Sequence, residues 1–574
     1  MCFSRHWIQQ NGVRLPRIKY STTPGKKRFS RIIVTSVQRR SHMRNIFFAR
    51  NCLWAAQWTW HNAPRQSGAD IVSNHCLMQA KGNLEQAFSQ AQRYSAALQN
   101  IPGVERAWAR QPGVVYVVLE GAELLQLALD DYAMPWRTST SGRWLLDYGA
   151  AVPFDEIGFT QARQGVQGDT LARLLTHAGH HVVRERLVFN DGNDAHLLTQ
   201  LVQLHMQALE TNVPFKHERT ASELAANTSR KPGHLPCEHL MHSLADKALR
   251  MGVLTDDAIA IGDFAMVTVL ALQEESFSHF RVEFDNVLQT SQLREPIANV
   301  LTEWRNHGHT AVRDAAVFFH GSAFGGKRDI AAVKNNSDIT YFTERVAHHV
   351  EQLRMTFSSV VSLRDAGHEE LASNARLGLE ALQINHSRLS YFMVKPAQAF
   401  PIRNMRRKRY ATLAEASKIL GINGLRLGLL SVNPNQILRF DTDGWVEQTQ
   451  HFSRSMYDAF TKAHAAVEDH CEGIAAMQAG PIAHAAKPLV LALLRWPDCQ
   501  RAAIEMLNPT LVYQHAVELV RLVHKTYANV LMQELDGENL VAMGTAWSLA
   551  ASQLRTLLDV MGIDILEWQS LTEK

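Results

Sequence analysis

The stretch "DYGAAVPFDEIGFTQARQGVQGDTLARLL", residues 147–175, decides how this chain is to be read. It reads as the end of a strand, an irregular turn, and a helix that opens on Gly168-Asp169, with Leu171, Leu174, Leu175 and Ala178 at spacings of three and four and Gly179 placed to stop it. Strand, turn and helix in that order form the path around a phosphate in nucleotide-binding sheets. Between them lie few residues able to handle a phosphate.

Working outward, the pattern repeats. Strand "WLLDYGA" is followed by helix "DTLARLLTHAG", strand "HHVVRERLVF", turn "NDGND" and helix "AHLLTQLVQLHMQALE", an alternation that predicts a doubly wound parallel sheet. Upstream, "LEQAFSQAQRYSAALQ", "GVVYVVLEG" and "AELLQLALDD" predict a small α/β domain. Beyond residue 440 only long helical patterns remain, such as "LVYQHAVELVRLVHKTYANVLMQEL" and "AWSLAASQLRTLLDVMGIDIL", which predict a helical bundle. The expected organisation is a leader over 1–69, a small N-terminal domain over 76–135, a Rossmann-type domain over 140–425 and a helical domain over 426–574.

Composition narrows the function classes. With 574 residues, 46% of them hydrophobic, the chain can bury several cores. No apolar run reaches the roughly 18 residues of a membrane span. Residues 1–69 hold 13 Lys or Arg and no Asp or Glu, which leaves 46 basic against 55 acidic residues, a formal net charge of −9, for the rest. An acid-free, Arg- and Ser-containing N-terminus predicts import into the mitochondrial matrix; the competing reading is a basic tail that binds RNA or a membrane surface. The six cysteines form no CxxC pair, and Cys237, His239 and His242 read as helix-surface residues, so no metal is expected. His348-His349 likewise reads as surface or half-buried.

Four segments, in order, carry a resemblance to arginyl-tRNA synthetases, class I enzymes. "LDYGA" with "GDTLARLLTHAGHHVVRE" is similar to that family's first nucleotide-binding turn, where a strand ending VDYS leads through His-x-Gly-His to a helix beginning Gly-Asp-Ala. "VEFDNVLQTSQL" is similar to its FDVxFSESSL segment, and "DITYFTERVAHHVEQL" to its TYxxxDIAYHxxKL helix. "ATLAEASKILGINGLRLGLLSVNPNQILRFD" resembles its junction to the anticodon-binding bundle. The resemblance implies a class I synthetase fold over most of the chain, and in the family ATP with magnesium as cofactor.

The departures bear on chemistry. The family's two motif histidines fall on Gly158 and Gln161 and its motif glycine on Thr160; its Lys-Met-Ser-Lys-Arg signature corresponds to "NMRRKR", with Met405, Arg406, Arg407 and Lys408. The position where a compensating lysine sits in members lacking that signature is Asp155. Of the substrate pocket the resemblance implies, Asp147, Tyr148 and Tyr341 match, Val152 replaces an asparagine, and the pocket glutamine falls on Ala366 or, with a local shift, His368. Where the family has an acid to receive the arginine guanidinium, four residues after Tyr341, there is Arg345. Two like charges about 4 Å apart cost about 4 kcal/mol at an effective dielectric of about 20. That alone lowers arginine affinity by roughly three powers of ten.

The expectation is therefore a synthetase-like protein without aminoacylation or cofactor, serving as a structural or RNA-associated subunit of a large mitochondrial assembly, with Arg406, Arg407 and Lys408 as RNA contacts. The alternative is an active mitochondrial arginine–tRNA ligase using ATP.

Overall fold

In a computed structural model, the chain is described at residues 55, 58, 60–64, 67–138, 141–151, 156–213, 216–226, 237–398, 401–402, 409–410, 412–439, 445–471, 477–530, 532–535 and 537–567. It divides after Leu119 into two compact units. Val152, Asp155, Met405, Arg406, Arg407 and Lys408 lie outside the described residues, as does most of the expected leader.

The first unit holds strands β1 (His61–Asn62) and β2 (Ile71–Ser73), the short helix α1 (His75–Gln79), helix α2 (Leu84–Leu98), and strands β3 (Val104–Arg110) and β4 (Val114–Leu119). The four strands form an antiparallel sheet in the order β1-β2-β4-β3. Asn83 caps α2 by accepting from the Gln86 amide at 3.0 Å, and the helix buries Ala87, Ala91 and Leu98. The leader was expected to run to residue 69. Instead, Trp58 and Trp60 are buried, Trp58 stacks on His75 and meets Tyr94 edge-on, and β1 pairs with β2. Large aromatic surface there is packed into the unit despite the basic composition.

The second unit begins with α3 (Gly121–Ala133), which sequence patterning assigned to the small domain. It packs on helices of the C-terminal bundle, so that boundary moves to residue 119. Strand β5 (Arg143–Asp147), helix α4 (Phe159–His177), strand β6 (His181–Val188), a helical insert of α5 (Asn193–Thr211), α6 (His217–Ala226), α7 (Glu238–Arg250) and α8 (Ala258–His279), and strand β7 (Asn286–Gln289) follow. After α9 (Arg294–Asn306) come three short antiparallel strands, β8 (Thr310–Arg313), β9 (Ala316–Phe319) and β10 (Ile330–Val333). Then α10 (Tyr341–Arg354), β11 (Ser359–Asp365), α11 (Glu369–Ala381) and β12 (Leu389–Val394) complete the main sheet, which is all parallel with order β12-β11-β5-β6-β7. The chain crosses to opposite sides of β5, so the switch point that places ligands in such sheets lies between β5 and β11.

Two residue-pair strands, β13 (Pro401–Ile402) and β14 (Arg409–Tyr410), lead to the helices α12 (Leu413–Leu430), α13 (Trp445–Cys471), α14 (Lys487–Leu493), α15 (Trp496–Glu505), α16 (Thr510–Asn529) and α17 (Gly537–Met561). A Thr412–Glu415 capping box starts α12, and Gly421, at φ 69°, kinks it. Among the described residues no helix is long and apolar enough to cross a membrane.

The helix expected to open at Gly168 begins nine residues earlier, at Phe159, with Gly158 extended before it. Its glycines are packing residues. A Cβ at Gly168 would lie 2.5 Å from Tyr148 Cγ, and one at Gly165 3.0 Å from Phe277 Cε1. Leu171, Leu174, Leu175 and Ala178 are fully buried, and Gly179, at φ 94°, ends the helix while the His180 amide donates to the Leu175 carbonyl at 3.0 Å.

Candidate functional site

Side chains alternate along a strand, so in-register residues of neighbouring parallel strands share a face. Asp147 of β5 is level with Glu185 of β6 and Ser362 of β11, and Ser362 with Tyr391 of β12. These four make a polar row across the sheet, and α10 lies over it. From α10, His348 Nε2 meets Glu185 Oε1 at 2.9 Å and Gln352 Nε2 donates to the same oxygen at 2.7 Å, while Asn286 donates to Glu185 Oε2 at 2.8 Å. His348 and His349, expected at or near the surface, are both fully buried: His348 meets the buried Glu185 carboxylate, and His349 Nδ1 meets Gln352 Oε1 at 2.7 Å. His349 packs edge-on against the Tyr391 ring, and burial, then Arg345 and His348, holds its pKa far below the usual imidazole value.

At the centre stands Asp147, fully buried. Its Oδ2 accepts from Ser362 Oγ at 3.1 Å, from Arg345 Nη1 at 3.5 Å, and from Arg364 Nη2 in a close ion pair. Burial alone would raise the carboxyl; Arg364, His348 and Arg345 together outweigh it and hold the group well below the ordinary carboxylate range. Arg345 is pulled down to about 10, by burial first and then by Arg364.

The four-residue spacing of Tyr341 and Arg345 suggested one shared pocket. The two diverge. Tyr341, 38% exposed at the start of α10, donates its hydroxyl to Asp194 in the first turn of α5, whereas Arg345 is buried on Asp147. Glu344 lies between them with Oε2 buried and unpartnered, and burial, then Asp194, pushes its pKa up to about 8. Tyr148, expected beside Asp147, faces the other side of the sheet, donating to the Glu283 carbonyl at 3.0 Å and packing on Phe284 and Gly168. Ala366 and His368 occupy a short turn after β11, His368 exposed.

At the start of α4, Gly158, Thr160 and Gln161 form the first turn. Thr160 Oγ1 bridges to the Ala397 main chain, donating to its carbonyl and accepting from its amide, both at 3.3 Å. One turn on is a residue that sequence reading passed over. Arg163, fully buried, donates to the carbonyls of Lys395, Pro396, Val432, Asn433 and Gln436 at 2.7–3.4 Å. Nothing local in the sequence signals those partners. Asp169, expected at a helix start, sits mid-helix and pairs with Arg426 at 2.7 Å and Arg173 at 2.8 Å.

A first turn of Gly, Phe, Thr and Gln supplies no cation for a triphosphate, and Arg163 is committed to carbonyls. These residues do not fit ATP phosphates. A second cleft, of about 490 Å³, lies between α13 and α16, lined by His451, Arg454, Ser455, Asp458 and His524. There His524 Nε2 lies 3.0 Å from both the hydroxyl and the carbonyl of Ser455. Among the described residues no group of three His, Cys, Asp or Glu is placed to hold a metal ion, and Cys237, His239 and His242 are exposed.

A parallel sheet with this switch point, an insert after its second strand and a terminal helical bundle is the fold of class I aminoacyl-tRNA synthetases. It superposes on the Thermus thermophilus arginyl-tRNA synthetase with a TM-score of 0.65 at 14% identity, covering 88% of this chain and 95% of that one, and on the Plasmodium falciparum arginyl-tRNA synthetase at 0.64 and 13%, covering 94% and 98%. The chain is homologous to arginyl-tRNA synthetases. It is 24% identical to the arginine–tRNA ligase of Moorella thermoacetica over 488 residues, 80% of this chain and 85% of the relative, and 21% identical to that of Shouchella clausii over 493 residues, 81% and 86%. No protein-family model matches the sequence.

Proposed function

We propose that this arginyl-tRNA synthetase-like protein does not aminoacylate tRNA and serves as a structural or RNA-associated subunit of a large mitochondrial assembly. The observation that carries the reading is Arg345: the position that should receive a guanidinium presents one, buried against Asp147. The closed first turn of α4, with Thr160 tied to Ala397, supports it, since charge developing on a phosphate would find no cation there. The acid-free basic stretch over residues 1–69 supports import into the mitochondrial matrix.

RNA contact is assigned to Arg406, Arg407 and Lys408, and should weaken as salt rises. No cofactor is needed for such a role. Two measurements test it. Purified protein with ATP, magnesium, arginine and tRNA should give no charged tRNA, and detectable charging establishes the active ligase instead. The native protein from a mitochondrial lysate should sediment as a large complex, with ribonuclease sensitivity if RNA holds it; sedimentation as a free monomer counts against the assembly.

A further inference from the structure

Helix α8 carries apolar residues on opposite sides. Its inner side is fully used. Ile261, Ala265, Met266 and Val269 close the core of the helical insert, Gln273 accepts from Arg186 Nη2 at 2.6 Å, and the Phe277 ring lies 4.9 Å from the Arg186 guanidinium. On the outer side Ala260, Phe264, Val267 and Ala271 follow one another at spacings of four, three and four, the period at which helices pair. Ala260 and Phe264 are half-buried, whereas Val267 is 69% exposed and Ala271 is exposed. At the N-terminal end Ile259 is 79% exposed, and Leu254, in the turn before the helix, 66%. A helix apolar on both sides has the pattern of one enclosed between neighbours. Here nothing among the described residues covers Val267 and Ala271.

Charge says what kind of neighbour fits. Residues 251–280 hold five acids, Asp256, Asp257, Asp263, Glu274 and Glu275, and no Lys or Arg. At about 100° per residue, Asp263 borders the outer stripe on one side and Glu275 on the other, and both are exposed. Acids on both borders disfavour an anionic lipid surface. They also disfavour a second copy of this chain, because a two-fold pairing of the same face would set acids against acids.

We propose that the outer face of α8 docks a basic amphipathic helix of another protein. The apolar side of that helix lies along Phe264, Val267 and Ala271, and its Lys or Arg side chains reach Asp263 and Glu275. The proposal rests on the reading of the chain as a subunit of an assembly and names one surface through which it joins.

The probe is a synthetic helix of about 18 residues, about five turns, with leucines along one side and lysines elsewhere, titrated calorimetrically into the purified full chain. The controls are the same peptide with glutamates for lysines, and vesicles containing phosphatidylglycerol. The lysine peptide should bind saturably, one per chain, and more weakly as salt rises; neither control should bind. Val267→Lys sets a cation in the middle of the stripe and should lower peptide affinity at least about tenfold. Val312→Lys, at a valine 74% exposed on β8, should leave it unchanged. Absence of binding, equal binding of the glutamate peptide, or unchanged affinity in Val267→Lys overturns the proposal. So does self-association or vesicle binding that Val267→Lys abolishes, since the occupant would then be a second copy or a lipid surface. Should Val267→Lys melt below the parent, Asp263→Lys takes its place: the same loss is expected, and unchanged affinity refutes the surface. Charging of tRNA would overturn the functional reading with peptide binding intact, whereas loss of peptide binding refutes this surface alone.

Discussion

Asp169→Asn should be among the most damaging isosteric changes in the second unit. The carboxylate is fully buried in α4, and its Oδ2 accepts from Arg426 Nη2 at 2.7 Å and Arg173 Nε at 2.8 Å. Arg426, equally buried on α12, also donates Nε to the Met561 carbonyl at 2.9 Å and Nη1 to the Phe280 carbonyl, and burial draws its pKa down. Asparagine keeps the shape and removes the counter-charge. Breaking a buried pair from one side costs about 3–5 kcal/mol. Arg426→Met leaves Asp169 with Arg173 but strips donors from two carbonyls, at about 1–3 kcal/mol each. Because each single change exposes the other partner's charge, the double variant should cost less than the sum by about 1–3 kcal/mol. Urea unfolding of the four proteins, followed by circular dichroism, measures this. A cost below about 1 kcal/mol for Asp169→Asn, or additivity within about 0.5 kcal/mol, refutes the reasoning.

Gly168→Ala should destabilise by about 1–3 kcal/mol despite alanine's advantage of about 1 kcal/mol in helices, since the new Cβ meets a Tyr148 ring pinned at both ends; a neutral result in urea unfolding would contradict the packing. Glu344 has its folded pKa raised to about 8, by burial and then Asp194, so the native state holds a proton that the unfolded chain loses near 4.5. Stability should therefore fall as pH rises from about 4.5 to 8, and Glu344→Gln should flatten that slope in melts across the window. His205 has its pKa lowered to about 4 by burial, then by His217, 3.0 Å away, and His242. Its contribution is present above about 6.5 and lost as pH falls towards 4, and melts of His205→Leu should lack that component.

The order of elements was legible because apolar spacing is local: Leu171, Leu174 and Leu175 mark the core side of α4 whatever lies around them. Its first nine residues were not legible, because Gly165 and Gly168 look like breakers until Phe277 and Tyr148 are seen pressing on them. Arg345 could be singled out by its departure from a resemblance, yet its direction could not. That depends on Asp147, which reaches it only once β5 lies beneath α10. The same holds for His348-His349, a doublet typical of a surface helix until the carboxylates below it are placed. Trp58 and Trp60 were hidden inside a basic composition that masked their packing on His75 and Tyr94.

Arg163 draws five carbonyls from two segments onto one side chain, and those segments are separated in sequence by the whole of α12. Their resistance to proteolysis should accordingly be a shared property. In Arg163→Ala a protease should cut near residues 395–396 and near 432–436 with one time course, two distant scissions reporting a single lost anchor.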